Sequence, residues 1–456
     1  MNIKVKVNEK ENLGGFKPVN CGNMSPPIYD ENAGQNIREY YKEQYIPLVR
    51  NHDAALFNGG LRLVDIPMVF PLFYLDPSDP KNYYFKATDD YIDVAEECGS
   101  KVYYRLGVSI DHSYNKYNID PPEDYAKWAD IATGIIRHYT EGWASETGKT
   151  HDIEYWEIWN EAEGISGEGR HLHTNWNAPY DTFLDFYVTV SKILKERFPH
   201  LKIGGPAHCS WDMDENSAPQ RFLKRCAEEK APLDFFSFHW YSNNPHEMVK
   251  FSYEAREMLD SLGYKDTELH INEWQYLPDD GFRGMRENPA IAPARYLEMQ
   301  DAQAGAYEVA AMISFLDCPY DISMVYTTST NHFGMYQVDS FLPAKNYYSV
   351  KALGQLFHFY PNRVKAEVSC EKREVRTSVQ AAAGIDNEGK LSVVIANYKN
   401  GESNFEINFE KEYTNFEVMA VTNEHSLDNI PFTYENGVLK FECNFDSSTI
   451  WVKASK

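Results

Sequence analysis

The sequence predicts an α/β protein in which a (β/α)8 TIM barrel carries a C-terminal antiparallel β-sandwich domain. From about residue 16 to residue 355, short runs rich in β-branched and aromatic residues alternate with longer amphipathic stretches. Eight such runs can be picked out, whereas an open doubly wound sheet usually stops at about five or six strands. Past about residue 360 the helical period disappears, and two-residue alternation punctuated by turn dipeptides takes over.

In chain order, the candidate barrel strands are residues 18–21, 61–64, 101–106, 153–159, 201–205, 234–238, 268–272 and 312–316. Helix-like stretches lie between them, the clearest at 122–138, 180–198 and 218–229. The C-terminal strands read LSVVIANYKNG (391–401), NFEINF (404–409) and FTYENGVLKFEC (432–443), the last with Asn436-Gly437 as a hairpin turn. The opening IKVKV alternates in the same way and is too short to stand alone, so it is expected to add an edge strand to the sandwich. The domains are therefore a catalytic barrel over residues 16–355 and an accessory sandwich from residues 1–15 and 356–456. No internal repeat or low-complexity linker interrupts them.

With 43% hydrophobic and 25% charged residues over 456 positions, the chain can bury a sizeable core. Lys+Arg 44 against Asp+Glu 68 leaves a net charge of −24, which repels phosphate backbones and anionic lipid. Neither nucleic acid nor membrane is an expected partner. No apolar run approaches about 18 residues, and MNIKVKVNEKENLGG lacks the apolar core of a signal peptide, so a cytoplasmic protein is expected. Seven scattered cysteines without a C-x-x-C pair argue against a disulfide framework or a zinc site and read as buried thiols in a reducing compartment. Aromatic residues make up 14% of the chain, and flat rings are what sugar faces pack against, although core packing accounts for most aromatics in any protein.

Barrel chemistry sits at the C-terminal ends of the strands. There the fourth strand, EYWEIWNEAEG, finishes at Asn160-Glu161, and the seventh, ELHINEWQ, finishes at Asn272-Glu273. Each places a carboxylate among large aromatics, where one pKa can be raised while the other group stays ionised. Strands four and seven face each other across a barrel, so two Glu side chains can flank one scissile bond, as glycoside hydrolysis requires. Most single Glu residues are solvated surface groups; two at matching strand ends, each preceded by Asn, make the pair a candidate. His208, His239, Tyr241 and Trp274 follow predicted strands five, six and seven and join it as candidates, although each alone reads as a hydrogen-bonded packing residue.

Other chemistry finds no support. The glycines at 164, 167 and 169 do not form G-x-G-x-x-G, and residues 212–216 (DMDEN) lack the Gly and closing Glu of a calcium loop. No H-E-x-x-H, G-x-S-x-G or phosphate-binding loop occurs. No metal and no cofactor is expected.

PPEDYAKWADIATGIIRHY, EYWEIWNE, LKIGGPAHC, FLKRCAEEKAPLDFFSFHWYS, ELHINEW and FGMYQVDSFLPAKNYYSVKALG follow one another in the order and spacing of glycoside hydrolase family 39. The chain resembles this β-xylosidase and α-L-iduronidase family over nearly its whole length. The resemblance implies a retaining mechanism with Glu161 as general acid/base and Glu273 as nucleophile. It also implies that Asn160 binds the sugar 2-hydroxyl and that Tyr241 hydrogen-bonds the nucleophile.

The family pattern is not followed everywhere. Asn-Glu-Pro-Asn is here Asn160-Glu161-Ala162-Glu163, and V-E-x-G-F has Arg105 for Glu and Val108 for Phe. After strand two the family's Arg-Gly-His-Gly is read as Arg62-Leu63-Val64-Asp65, keeping the Arg and losing the His. Arg62, Asp65, Arg105 and Glu163 thus join the expected sugar-binding residues. A glycone other than xylose is expected, unless Asp65 and Arg105 merely pair with each other. The expected function is an exo-acting retaining hydrolase cleaving a terminal pyranoside from an oligosaccharide or small glycoside. A silent carbohydrate-binding protein on the same scaffold, a uronic-acid-specific glycosidase using Arg105, and assembly into a homo-oligomer stay open.

Overall fold

The structure is a computed structural model that describes the chain except for residues 29–35, 54–61, 111–113, 164–174, 210–212 and 371–375. The glycines at 164–169 and the start of the 212–216 segment fall outside the described residues.

Strand β1 spans Asn2–Gly14. Eight parallel strands then close a barrel in chain order: β2 (Cys21–Asn23), β3 (Leu48–Arg50), β4 (Lys101–Leu106), β5 (Tyr155–Ile158), β6 (Lys202–His208), β7 (Phe235–Ser242), β8 (Glu268–Tyr276) and β9 (Ile322–Val325). The three expected helices form at Tyr125–Glu141, Tyr180–Arg197 and Ala218–Glu229. The first starts where the Asp124 carboxylate accepts from the Lys127 N–H at 3.0 Å, and it ends at Gly142, whose φ of 73° is left-handed.

Two of the eight expected strands are corrected. The second is Leu48–Arg50; residues 62–65 instead form a turn, with the Asp65 N–H donating to the Arg62 carbonyl at 3.0 Å, that opens the helix Ile66–Val69. A strand of three residues ending in a charge carries too short a pattern to stand out. The eighth strand is Ile322–Val325, because residues 312–315 belong to the helix Ala302–Phe315. That helix lies between the barrel and the C-terminal domain: Phe315 packs on Trp274 with ring centroids 5.5 Å apart, and Tyr307 meets Tyr398 at 5.4 Å. Buried on several faces, it loses its polar stripe and imitates a core strand.

The remaining strands are β10 (Asn362–Cys370), β11 (Ser378–Ile385), β12 (Leu391–Tyr398), β13 (Ser403–Phe409), β14 (Asn415–Val421), β15 (Ser426–Asn429), β16 (Phe432–Glu435), β17 (Val438–Cys443) and β18 (Ser448–Ser455). They form one hydrogen-bonded sheet with β1, in the order β15-β14-β18-β12-β11-β10-β1-β13-β17-β16. The sheet folds over itself into a sandwich, since Phe416 of β14 and Tyr434 of β16, near its two ends, pack with ring centroids 4.5 Å apart. Strand β1 is not an edge: it pairs antiparallel with β10 and parallel with β13. Its alternation sends Ile3, Val5 and Val7 into the core while Lys4 and Lys6 face water. At the β16–β17 hairpin, Asn436 and Gly437 both have positive φ (53° and 79°), as a type I′ turn requires.

Candidate active site

The end of β5 is shaped by two left-handed residues, Trp159 (φ 75°) and Glu161 (φ 46°). Such conformations cost about 1–3 kcal/mol each in non-glycine residues and persist only where neighbours enforce them. Here the Trp159 N–H donates to the Leu106 carbonyl at 2.7 Å and the Glu161 N–H to the Ala207 carbonyl at 2.9 Å, so both flanking strands hold the turn. Asn175 adds a third tie, donating from Nδ2 to the Asn160 carbonyl at 3.1 Å.

On β8 the register against β7 jumps between the pairs Phe238–Ile271 and His239–Glu273, leaving Asn272 as the extra residue of a bulge. Consecutive side chains therefore both reach the barrel interior. Asn272 Nδ2 donates to Glu157 at 2.5 Å, and Glu273 accepts from the Tyr241 hydroxyl at 2.7 Å through Oε1.

Arg50, the last residue of β3, ties these ends together. It is fully buried and donates from Nε to Glu157 Oε2 (2.7 Å), from Nη1 to Glu273 Oε2 (3.1 Å) and Asn23 Oδ1 (3.2 Å), and from Nη2 to Asn160 Oδ1 (2.7 Å). Because an arginine can only donate, the Asn160 amide is oriented with its oxygen toward Arg50. Its Nδ2 is left buried without a partner among the described residues. The opposing charge, Glu157, is itself satisfied by Arg50, Asn272 and the Ser237 hydroxyl at 2.6 Å, as a buried ion pair needs.

Glu161 and Glu273 meet around His239. One ligand atom from each of the three lies within 4.8 Å of the other two, and His239 Nδ1 is 2.7 Å from Glu161 Oε1. Burial pushes the Glu161 carboxyl up to about 8, helped by the charge of Glu163 and opposed by Arg50 and Lys116. Burial also pushes His239 down to about 4, so its ring is neutral near neutrality. Glu273 is also raised, by burial and by the neighbouring Glu161, with His239, Arg50 and the Tyr241 hydroxyl opposing. The two carboxyls thus have different environments: Glu161 keeps a proton, and Glu273 faces a guanidinium and a phenol. The same trio has the spacing of a cation site, as do Asp93, Glu96 and His151 elsewhere among the described residues. At the first, the guanidinium of Arg50 and the hydroxyl of Tyr241 already engage the oxygens of Glu273.

Of the other expected residues, Glu163 and His208 stand behind Glu161, with Oε1 and Nδ1 3.0 Å apart. Asp65 and Arg105 are a buried ion pair at 2.6 Å, and the Asp65 carboxylate also accepts from the Ser109 N–H and hydroxyl at 2.9 and 2.8 Å. Two expectations are corrected. Trp274 points away from the mouth: it is fully buried, donates from its indole N–H to the Ser323 hydroxyl at 2.8 Å and packs on Phe315, because adjacent strand residues face opposite sides. Arg62 is in the turn before Ile66–Val69, and the strand-end arginine is Arg50. The segment after the second barrel strand is therefore Arg50-Asn51-His52-Asp53, which keeps both the Arg and the His that the reading of residues 62–65 had split.

Arg50, His52 and Asp53 were missed because β3 is so short. The spacing Arg-x-His was the signal available. Arg105 Nε donates to His52 Nδ1 at 3.0 Å, so the ring carries its proton on Nε2, which lies 3.9 Å from Glu273 Oε2 and 3.5 Å from Asp53 Oδ1.

Comparison with known proteins gives the family and the fold. Residues 29–275, more than half of the chain, match the model of glycosyl hydrolases family 39. A β-xylosidase of Geobacillus stearothermophilus is 31% identical over 150 residues, covering 32% of this chain and 26% of that protein. A β-xylosidase of Caldicellulosiruptor saccharolyticus is 21% identical over 345 residues, covering 70% and 64%. The matches thus span about a quarter and just under two thirds of those relatives. Among solved structures, a glucosidase from Croceicoccus marinus superposes with a TM-score of 0.77 at 19% identity, covering 100% of this chain and 99% of that one. A family 39 enzyme from Xanthomonas axonopodis pv. citri gives 0.68 at 13%, covering 99% and 97%. These two likenesses concern the fold; the profile match over the barrel makes the chain a member of glycosyl hydrolases family 39.

Proposed function

We propose that the chain is a retaining glycoside hydrolase that removes a terminal pyranoside from an oligosaccharide or small glycoside, with β-xylosides as the leading substrates. One observation carries this reading: a Glu161 and a Glu273 oxygen lie within 4.8 Å of each other. Retaining glycosidases hold their carboxyls roughly 5 Å apart, and inverting ones at about 6.5–9.5 Å to admit a water.

In the first step Glu161 gives its proton to the glycosidic oxygen as the bond to the anomeric carbon breaks, and a Glu273 oxygen forms a bond to that carbon. The leaving group departs as an alcohol. Glu161, now a carboxylate, takes a proton from water as the water oxygen attacks the same carbon and releases Glu273. The held proton of Glu161 and the contacts of Glu273 with the Arg50 guanidinium and the Tyr241 hydroxyl suit those roles. Asn160, its amide oriented by Arg50, offers Nδ2 to the 2-hydroxyl. Tyr241 keeps its proton, because burial raises its pKa, and holds Glu273 in place.

The named relatives are β-xylosidases, which supports xylose as the first glycone to try. A uronic-acid glycone has less support, since the charge of Arg105 is matched by Asp65. The free, mostly buried cysteines accord with the reducing, cytoplasmic setting included in this proposal. Incubation with 4-nitrophenyl β-D-xyloside, glucoside, galactoside, fucoside and α-L-arabinopyranoside tests the reading: at least one releases nitrophenol, and release from none contradicts hydrolysis.

A further inference from the structure

The ends of β3 and β9 bring a third carboxyl toward Glu273. Asp53 follows β3 with a left-handed φ of 52°, is 8% exposed, and accepts at Oδ2 from the Tyr326 hydroxyl at 2.9 Å. Its Oδ1 lies 3.5 Å from the His52 Nε2 that faces Glu273. The same imidazole joins it to Arg105, which donates from Nε to His52 Nδ1 at 3.0 Å; burial pushes the Asp53 carboxyl up to about 6, with Arg105 opposing. Arg105 donates from Nε to His52 and from Nη2 to Asp65, while its buried Nη1 has no hydrogen-bond partner among the described residues.

We propose that Asp53 and the Nη1 of Arg105 form a recognition site for the glycone hydroxyls at C3 and C4, which makes Asp53 a specificity-determining residue. A sugar hydroxyl donates one hydrogen bond and accepts others, so it needs an acceptor and a donor side by side. Asp53 has lone pairs beyond those engaged by Tyr326 and Ser109, and the buried Nη1 of Arg105 has no hydrogen-bond partner among the described residues. Position fixes which hydroxyls are read. Glu161 and His239, on β5 and β7, mark the leaving-group side of Glu273. Asp53 and Tyr326 follow β3 and β9, on the other side of β8. A pyranose whose anomeric carbon meets Glu273 extends its far edge toward them.

In the family pattern quoted above, the residue at this place is Gly, which offers no side chain. The inference rests on the hydrolase reading and adds a substrate class: a neutral pyranose with free 3- and 4-hydroxyls, since a substrate carboxylate would meet the carboxyl of Asp53.

The test pairs the best nitrophenyl pyranoside of the panel with its 4-deoxy analogue, on wild type, Asp53→Ala and Asp53→Asn. For wild type, loss of the hydroxyl should lower kcat/KM about 100-fold or more, because buried polar groups are then left unpaired. For Asp53→Ala the same loss should cost under about 5-fold, with Asp53→Asn between, each variant being checked for folding by its melting curve. If Ala does not fold, Asn alone decides by the same comparison. An equal penalty in wild type and variants overturns the inference and leaves the hydrolase reading standing. A wild type that cleaves none of the panel overturns both.

Discussion

At the centre of the barrel mouth, Arg50, Glu157, Asp65, Arg105, Glu161 and Glu273 are buried together, held by one another and by Asn160, Ser237 and Tyr241. At the centre of the sandwich, Ile3, Val5, Val7, Leu391, Val393, Ile395, Ile407, Leu439 and Ile450 pack into an aliphatic core. The first interior pays desolvation for every charge and recovers it only through complete pairing. The second gains from each methyl it buries and depends on no single partner. A barrel interior of this kind is poorly suited to hold the chain together and well suited to set proton affinities, so the two interiors should fail in different ways when cut.

The largest effect is expected at Glu273. Glu273→Gly removes the proposed nucleophile and should lower kcat on an aryl glycoside by about 10⁴-fold or more, with azide restoring turnover to give the glycosyl azide of inverted configuration. Rescue without inversion removes Glu273 from the nucleophile's role.

Next comes Glu161, the group that must hold a proton. Its pKa is raised, so the acid form is present below about 8 and is lost as pH rises through that value. Wild-type kcat/KM should show an alkaline limb near there. Glu161→Ala should abolish that limb and slow poor leaving groups by orders of magnitude while sparing nitrophenyl substrates in the first step. Equal losses on both substrate kinds contradict the assignment.

Arg50→Leu and Leu439→Ala set the two interiors side by side. Arg50→Leu leaves Glu157 buried without its counter-ion and should cost about 3–5 kcal/mol, together with a 10²- to 10³-fold fall in kcat/KM by rough expectation because Glu273 and Asn160 lose their anchor. Leu439→Ala should cost about 2–5 kcal/mol with kcat/KM within about twofold, as a cavity far from the mouth predicts. Urea titration and steady-state kinetics on both variants decide whether stability and activity separate in this way.

The smallest effect belongs to the seam. Glu308, on the helix Ala302–Phe315 between barrel and sandwich, is fully buried; Asn346 donates to its Oε1 at 3.2 Å, and its Oε2 has no partner among the described residues. Burial pushes its carboxyl up from 4.5 to about 8. The folded state therefore holds this proton more tightly than the unfolded chain between those values, and stability falls as pH rises through that window. Glu308→Gln should show a smaller drop in Tm between pH 5 and pH 8 than wild type. Parallel Tm curves contradict a protonated Glu308.

The sequence announced those groups that close long aromatic runs and hid those that follow a short, unmarked one. Glu161 and Glu273 close aromatic runs long enough to number, and the helices show their period. Arg50 ends a strand of three residues, and His52 and Asp53 follow it; an alternation that short cannot be told from a loop, so the reading settled on Arg62 and lost the histidine. The bulge at Asn272 is likewise silent in sequence, because an extra residue changes register without changing composition. Trp274 was misplaced because regular alternation resumes after that bulge and turns the residue following Glu273 away from the mouth. The sandwich was legible from its two-residue period, but that period does not say which strand lies inside the sheet, so β1 was expected at an edge.

The central claim is that Glu161 and Glu273 act by double displacement at one anomeric carbon. Proton NMR of the first sugar released from the best nitrophenyl glycoside, recorded before mutarotation, tests it most directly. The account predicts that the first anomer has the configuration of the substrate; an inverted first anomer contradicts it.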